Sequence, residues 1–222
     1  TDIDNYMEFI DKSYKKYEIT SNSFLENPMT EFRDFFNLAN LEKIMEISPF
    51  NSAYDEIEKY IGDELLRDAL AYQTMYIGLS PYNCSSIFTL IPASTQVEGM
   101  AYFAGGMSSY TNAVANAYKD LGGMLHLNSN VDKIISEDGR AKAIAIEGRL
   151  IEADDIIINA DYSYAIKNLI DYDYDKYMDI NEFDYTCSVF MLYLGLDERF
   201  DKLLLHNIIV QEDFEKNVNC IF

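Results

Sequence analysis

A chain of 222 residues, 49% of them apolar and 25% charged, is long enough for one large core or two small ones and too apolar to be disordered throughout. Its 17 basic and 38 acidic residues leave a formal charge of −21, which repels phosphate backbones and anionic lipid headgroups, so no nucleic-acid partner is expected. Cys84, Cys187 and Cys220 are an odd, widely spaced set without a C-x-x-C pair, and no secretion signal is visible; a reducing cytoplasm is the expected compartment.

In residues 4–17 and 31–45 the apolar positions recur at three- and four-residue spacing among charges, the pattern of amphipathic helices. Ser52, with Asp55 three residues on, resembles a helix start, and Tyr54, Ile57, Ile61, Leu65 and Ala69 continue one stripe toward Ile77, which predicts the longest helix here. Residues 97–103 are strand-like, Gly105-Gly106 is a turn, residues 108–121 are helical, and Gly122-Gly123 ends that helix. Residues 131–159 carry Asp138-Gly139 and Gly148 between short Ile- and Ala-rich runs, the signature of a β-meander with tight turns. Its last run, Ile156-Ile157-Ile158, is apolar on both faces and predicts a buried strand. Asp161 is placed to cap the next helix, and residues 185–196 form a second strand-like run. The sum is an α+β chain. Because the first residue is Thr1 and the helix-like pattern of residues 212–222 stops without a terminating signal, the 222 residues are expected to be part of a longer protein.

Residues 69–118 hold a single charged side chain, Glu98, while 54 charges fall among the other 172 residues. Pro81, Pro92, Asn83, Ser85, Ser86 and Gln96 interrupt the run, so it is no membrane-spanning helix. It is either a core segment or the lining of an apolar ligand site, whose walls would come from Tyr72, Met75, Tyr76, Phe88, Met100, Tyr102, Phe103 and Met107.

Phosphate-cradling and nucleophile-elbow motifs are absent from the sequence: no G-x-G-x-x-G, no G-x-x-x-x-G-K, no G-x-S-x-G. Gly105-Gly106 before a helix either lets a cofactor approach the backbone or makes a plain tight turn. His126 and His206 have no spaced Cys or carboxylate partner, and no metal is expected at either. Asp171, Asp173, Asp175, Asp179 and Glu182 follow the spacing of a calcium-binding loop, but Lys176 occupies the position that wants glycine, so a solvated acidic loop is the expected reading.

Several stretches in order resemble the bacterial phytoene desaturases, flavoprotein carotenoid desaturases, especially their diapophytoene-type members. They are Tyr102-Phe103-Ala104-Gly105-Gly106-Met107, Leu121-Gly122-Gly123, Val131-Asp132-Lys133-Ile134, Asn159-Ala160-Asp161, residues 187–197, His206-Asn207-Ile208-Ile209 and Glu212-Asp213-Phe214. The resemblance covers residues 65–222 well and the first helices faintly. It implies part of an FAD-dependent, amine-oxidase-like flavoprotein, with a dinucleotide-binding unit before this segment and an FAD-completing segment after it. Residues 1–96 would then be the mostly helical part of a substrate domain with a mixed sheet, 97–130 a strand-helix-strand unit, 131–162 a meander on the FAD side, and 163–222 the truncated remainder. The resemblance places Val131, Asn159, Ala160 and Asp161 near FAD, against the plainer readings of a buried strand and a helix cap, and Gly105 and Gly106 join them if their turn is the one that admits a cofactor.

The implied reaction desaturates a polyisoprenoid hydrocarbon in carotenoid biosynthesis: FAD takes a hydride from an allylic C–H, a proton leaves the adjacent carbon, and conjugation lengthens. An apolar substrate suits the uncharged run, where Glu98 is either a proton acceptor or an ordinary surface carboxylate. The segment alone is expected to be inactive and to hold no FAD. Contact of the intact enzyme with the inner face of the membrane, at the first helices or near residues 82–91, would be hydrophobic. Phe103-Ala104 stands where many relatives carry Pro-Lys, which leaves open a saturase direction. A non-catalytic apolar-ligand carrier or interaction module is the rival of another class.

Overall fold

The computed structural model describes residues 2–26, 31, 38–47, 50–170, 180–183, 185–198, 200–204, 206–210 and 212–222. These fall into two units, one built from Thr1–Ala101 with Thr186–Phe222, the other from Tyr102–Tyr185.

The first unit grows from helix α1 (Asp2–Thr20), which buries Phe9, Ile10, Ser13, Lys16 and Thr20 along one stripe and packs beside α5 (Leu90–Glu98). Helix α2 (Leu38–Ile47) also lies against α1; the other residues of the helix predicted over 31–45, save Glu31, are outside the described set. The single long helix predicted after Ser52 is two short helices, α3 (Ala53–Glu58) and α4 (Glu64–Tyr72), followed by a 3-10 turn, Gln73–Ile77. The break is local chemistry: Gly62 disfavours helix interior, and the Asp63 carboxylate accepts the Leu66 N–H at 2.8 Å and so starts a new helix. Ser52 caps α3 as expected, accepting from Asp55 N–H at 3.0 Å.

Phe9, Ile10, Ile57, Ile61, Leu70 and Ala71 form the core, and helix α8 (Phe214–Ile221) closes it with Phe214 and Val218. Burying a side chain of that size contributes about 1.5–3 kcal/mol. The Lys16 ammonium, 8% exposed, lies 3.0 Å from the Glu56 carboxylate, which also holds Lys59 at 2.6 Å, so the charges buried between α1 and α3 are paired.

The uncharged run splits in two. Its first half is core: Ala53 N–H donates to Cys84 O, Tyr54 N–H to Pro81 O and Ser86 N–H to Asn51 O, all within 3.0 Å, which stitches residues 80–86 to the start of α3. Small hydroxyls buried there bond to backbone, Thr74 to Ala71 O and Thr89 to Ser86 O. Its second half, from Gln96 to Gly105, is exposed, and the strand predicted at 97–103 is instead the end of α5 followed by irregular chain. Gly99 at φ 78° ends α5 and turns the chain away from extended pairing.

The second unit contains helix α6 (Met107–Asp120) and a three-stranded antiparallel meander, β1 (Lys133–Glu137), β2 (Arg140–Ile146) and β3 (Arg149–Glu152), in the order β1-β2-β3. Its hairpins turn at Asp138-Gly139 and Glu147-Gly148, all four residues at positive φ, the conformation that matches strand twist. A bulge interrupts β1 between Ile135 and Ser136. Ile134 packs with Ala165 and Leu169 from the turns that follow, α7 (Tyr162–Tyr164) and a π-helical turn, Ala165–Leu169. Helix α6 ends as the Gly pair predicts: Gly122 N–H reaches Lys119 O, Gly123 N–H reaches Tyr118 O, and Tyr118 folds so close that a Cβ on Gly123 would stand 2.5 Å or less from its ring.

The mixed sheet predicted from the resemblance is represented among the described residues by a lone parallel bridge, Ile134 to Ile170, beside the antiparallel meander. Residues 156–158 and 185–196 are not strands: Ile157 is 94% exposed, and Val189, Phe190 and Tyr193 are 77%, 89% and 90% exposed. A strand exists only when another backbone meets its N–H and C=O groups, and no described strand lies beside either run.

Candidate functional site

The Gly pair sits in a turn closed by Gly106 N–H donating to Phe103 O at 2.8 Å. Gly105 at φ 86° and Gly106 at φ 83°, ψ 176° occupy conformations that favour glycine, so the turn alone accounts for both residues. The Ser109 hydroxyl lies 2.7 Å from Gly106 O and 2.9 Å from Ala104 O and holds the turn against α6. Around Gly106 a Cβ would meet only Tyr102 Oη, at 3.5 Å. No side chain caps α6, and none of its residues is buried. Phe103 stacks on Tyr110 at 4.7 Å, and with Met107, Val114 and Tyr118 they form an exposed apolar stripe.

The eight predicted ligand-lining residues divide between the units. In the first, Tyr72 and Met75 pack against the helical core, Tyr76 meets Tyr72 edge-on at 5.8 Å, Phe88 is half-buried and Met100 is exposed. In the second, Tyr102, Phe103 and Met107 are exposed around the Gly turn. The clefts at the meander and around α8 are lined by other residues. Glu98 ends α5 rather than edging a strand, and its carboxylate accepts a hydrogen bond from the Tyr14 hydroxyl at 3.3 Å.

At the start of the meander Val131 is half-buried, and Asp132 accepts the Glu147 N–H at 2.7 Å, which braces the β2–β3 turn. Asn159 and Ala160 are exposed; Asp161 caps α7, accepting Tyr164 N–H at 2.8 Å. The Asp161 oxygen that makes this cap is thereby committed to the fold, while Asn159 and Ala160 offer open backbone beside it.

Among the described residues no group of three or more His, Cys, Asp or Glu side chains is arranged to hold a metal; Glu182 is exposed, and Asp171, Asp173, Asp175 and Asp179 lie outside those residues. No described helix is long and apolar enough to cross a membrane.

One polar constellation was not foreseen. Tyr54, Glu64, Asp68, Tyr82, Glu212, Asp213, Phe214 and Glu215 line a cleft of about 200 Å³ in the first unit. Asp68, 9% exposed, accepts from the Tyr54 hydroxyl at 3.3 Å. Burial pushes its carboxyl above the ordinary range and raises the Tyr54 and Tyr82 phenols too. The sequence held one signal, a carboxylate seven residues after Ile61 on the buried stripe of α4.

The sequence pattern of one known family matches this chain over residues 9–218, that of the flavin containing amine oxidoreductases. The chain is similar to the 4,4'-diapophytoene desaturase (4,4'-diaponeurosporene-forming) of Staphylococcus haemolyticus strain JCSC1435, at 32% identity over 227 residues. It is similar to the enzyme of the same description from Staphylococcus aureus strain Newman, at 35% identity over 225 residues. Each alignment covers 98% of this chain and 45% of the relative, so the chain spans about half the length of the curated relatives it matches. With nearly the whole of its length matched, the chain belongs to the flavin containing amine oxidoreductase family.

Proposed function

We propose that this chain is part of a longer FAD-dependent enzyme that desaturates a polyisoprenoid hydrocarbon of the 4,4'-diapophytoene class in carotenoid biosynthesis. The observation that carries the reading is 32–35% identity across 98% of the chain to desaturases of that description. Exposed apolar surface supports it: residues 189–194 and the stripe on α6 present side chains that water disfavours and that further polypeptide would cover. In the finer reading the segment contributes the substrate domain, and its irregular residues 185–196 become a strand of a mixed sheet when a neighbouring backbone is present.

FAD, when bound, would supply hydride acceptance. What this chain brings to it is contact: open backbone at Asn159-Ala160, the half-buried Val131 and the Gly105-Gly106 turn, whose missing side chains leave room for close approach. Enclosure of the cofactor falls to polypeptide outside these 222 residues, and the segment alone is proposed to be inactive. For the substrate, Met100, Tyr102, Phe103 and Met107 supply apolar surface, with Tyr72, Met75, Tyr76 and Phe88 behind the first of these in the sequence. Glu98, held by Tyr14, is the proposed orienting or proton-accepting carboxylate. Access to a bilayer-dissolved substrate would come through hydrophobic contact at Ile3 and Met7 of α1, both more than half exposed, rather than through charge.

The intact enzyme, purified and given 4,4'-diapophytoene with an electron acceptor, is expected to carry a flavin absorption band and to lengthen the polyene chromophore. A protein with neither property would overturn the reading, and a flavoprotein that shortens a conjugated substrate would make it a saturase. A salt-resistant association with vesicles is expected, and release by salt alone would remove the membrane contact.

A further inference from the structure

One side chain holds the Gly105-Gly106 turn in shape. The Ser109 hydroxyl lies 2.7 Å from Gly106 O and 2.9 Å from Ala104 O, and the Ser109 N–H donates to Gly106 O at 3.1 Å. A Cβ built on Gly105 would touch the Ser109 side chain at 3.4 Å, whereas one on Gly106 would meet only Tyr102 Oη. The turn is therefore backed by Ser109 at Gly105 and open at Gly106.

Two rings are fastened to this turn. Phe103 leads into it and Tyr110 stands in the first turn of α6; their rings stack with centroids 4.7 Å apart and planes 25° from parallel. They are 45% and 48% exposed, since each covers the inner face of the other and leaves its outer face in water. A quarter of the chain is charged, yet residues 99–118 hold no charged side chain, although α6 buries none of its residues. A flat, polarisable surface without charge suits a flat, uncharged occupant. Ring faces stack on planar π systems and gain less from a puckered saturated chain, which offers area alone. Given the desaturase reading, on which this rests, the reacting carbons lie beside the Gly turn, and each round of reaction flattens the chain there by extending its conjugation.

We propose that Tyr110 is a specificity-determining residue of the desaturase: with Phe103 it forms a wall that holds the conjugated stretch of the polyene in preference to the unreacted one, so that a partly desaturated chain stays for the next round. Ser109 is a positioning residue, fixing the turn that carries Phe103. Val114, Tyr118 and Leu121, farther along the exposed stripe, remain for covering polypeptide.

The test uses the intact enzyme and 4,4'-diapophytoene, reading polyene absorption to separate shorter from longer chromophores and the flavin band to count cofactor. Tyr110→Leu keeps apolar area and removes the ring. Its products are expected to hold about twofold to tenfold more of the shorter chromophores relative to the longest, at the parent's flavin content. Tyr110→Phe should keep the parent's ratio. Ser109→Ala should shift the ratio in the same direction as Tyr110→Leu, and Ser109→Thr, which retains the hydroxyl, should not. The wall would be overturned by a Tyr110→Leu ratio that is unchanged or moves to longer chromophores, by Tyr110→Phe behaving like Tyr110→Leu, or by loss of flavin from Tyr110→Leu. An unchanged ratio in Ser109→Ala would overturn its positioning role. A parent enzyme without flavin or without a polyene product would overturn the desaturase reading itself; a parent that desaturates and is matched by Tyr110→Leu would overturn the wall alone.

Discussion

Helices α1 and α6 carry the same kind of message and meet different fates. Each spaces apolar residues three and four apart; α1 buries Phe9 and Ile10 against α3, α4 and α8, whereas α6 leaves Met107, Tyr110, Val114, Tyr118 and Leu121 in water. Periodicity states that a face is to be covered, not by what. In the first unit the cover lies in the same chain, partly from residues 214–218, far along the sequence. In the second unit α6 has no cover among the described residues of its own unit, and the relatives are about twice as long.

The sharpest way to break that contrast is to truncate one anchor on each side. Phe214→Ala should cost about 3–5 kcal/mol in urea unfolding of this chain, because a filled core position becomes a cavity. Val114→Ser on the exposed stripe should cost no more than about 0.5 kcal/mol in the same chain. Comparable losses would mean that the α6 stripe is already covered here. In the intact protein Val114→Ser should become clearly destabilising if the proposed covering polypeptide is present.

The next effect concerns buried charge, which the first unit holds in paired form between α1 and α3. Burial opposes ionisation of Glu56, but Lys59 and Lys16 outweigh it and hold its carboxyl below its ordinary value of 4.5. Its contribution is therefore present above pH 4.5 and is lost as pH falls through the lowered value. Glu56→Gln leaves Lys16 buried without its counter-charge, so a loss of about 3 kcal/mol at neutral pH is expected. Stability curves against pH should show the parent losing stability in acid where Glu56→Gln does not. A variant with the parent's acid limb would assign that limb to other carboxylates.

How much could be read from the sequence follows from the range of the forces. The Ser52 cap, the hairpin turns at Asp138-Gly139 and Gly148, the Gly122-Gly123 stop and the Asp161 cap are decided within a few residues, and each appears where the local chemistry puts it. Residues 97–103, 156–158 and 185–196 have strand-like side chains, but a strand is a property of two backbones, and among the described residues no strand lies beside them. The break at Gly62-Asp63 was legible in principle, since a glycine followed by an N-cap residue is a restart signal inside a continuous stripe. Of the candidate site, the Gly turn was legible and the grouping of the eight apolar residues was not. The uncharged run that suggested one lining is spent half on core around residues 70–93 and half on exposed chain. The cleft at Asp68 draws residues 54, 68, 82 and 212–215 together, and no local pattern encodes such a meeting.

The smallest effect compares one device used in both units. Asp63 and Asp161 are N-caps of similar geometry, each accepting from the N–H three residues on at 2.8 Å. Replacing either by Ala should cost about 1 kcal/mol, since an orphan N–H loses its partner. The consequences differ in kind. Asp63 restarts a helix whose next turns carry Leu70 and Ala71 into the core, so its loss should appear in global unfolding. Asp161 caps a single short turn that presents Ala165 and Leu169 to Ile134, so its loss should appear as faster exchange at Tyr164 N–H and along residues 165–169. If the Asp161→Ala change instead spreads through α1 and α3, the two compact units do not respond separately, and the contrast between a covered and an uncovered helix needs another cause.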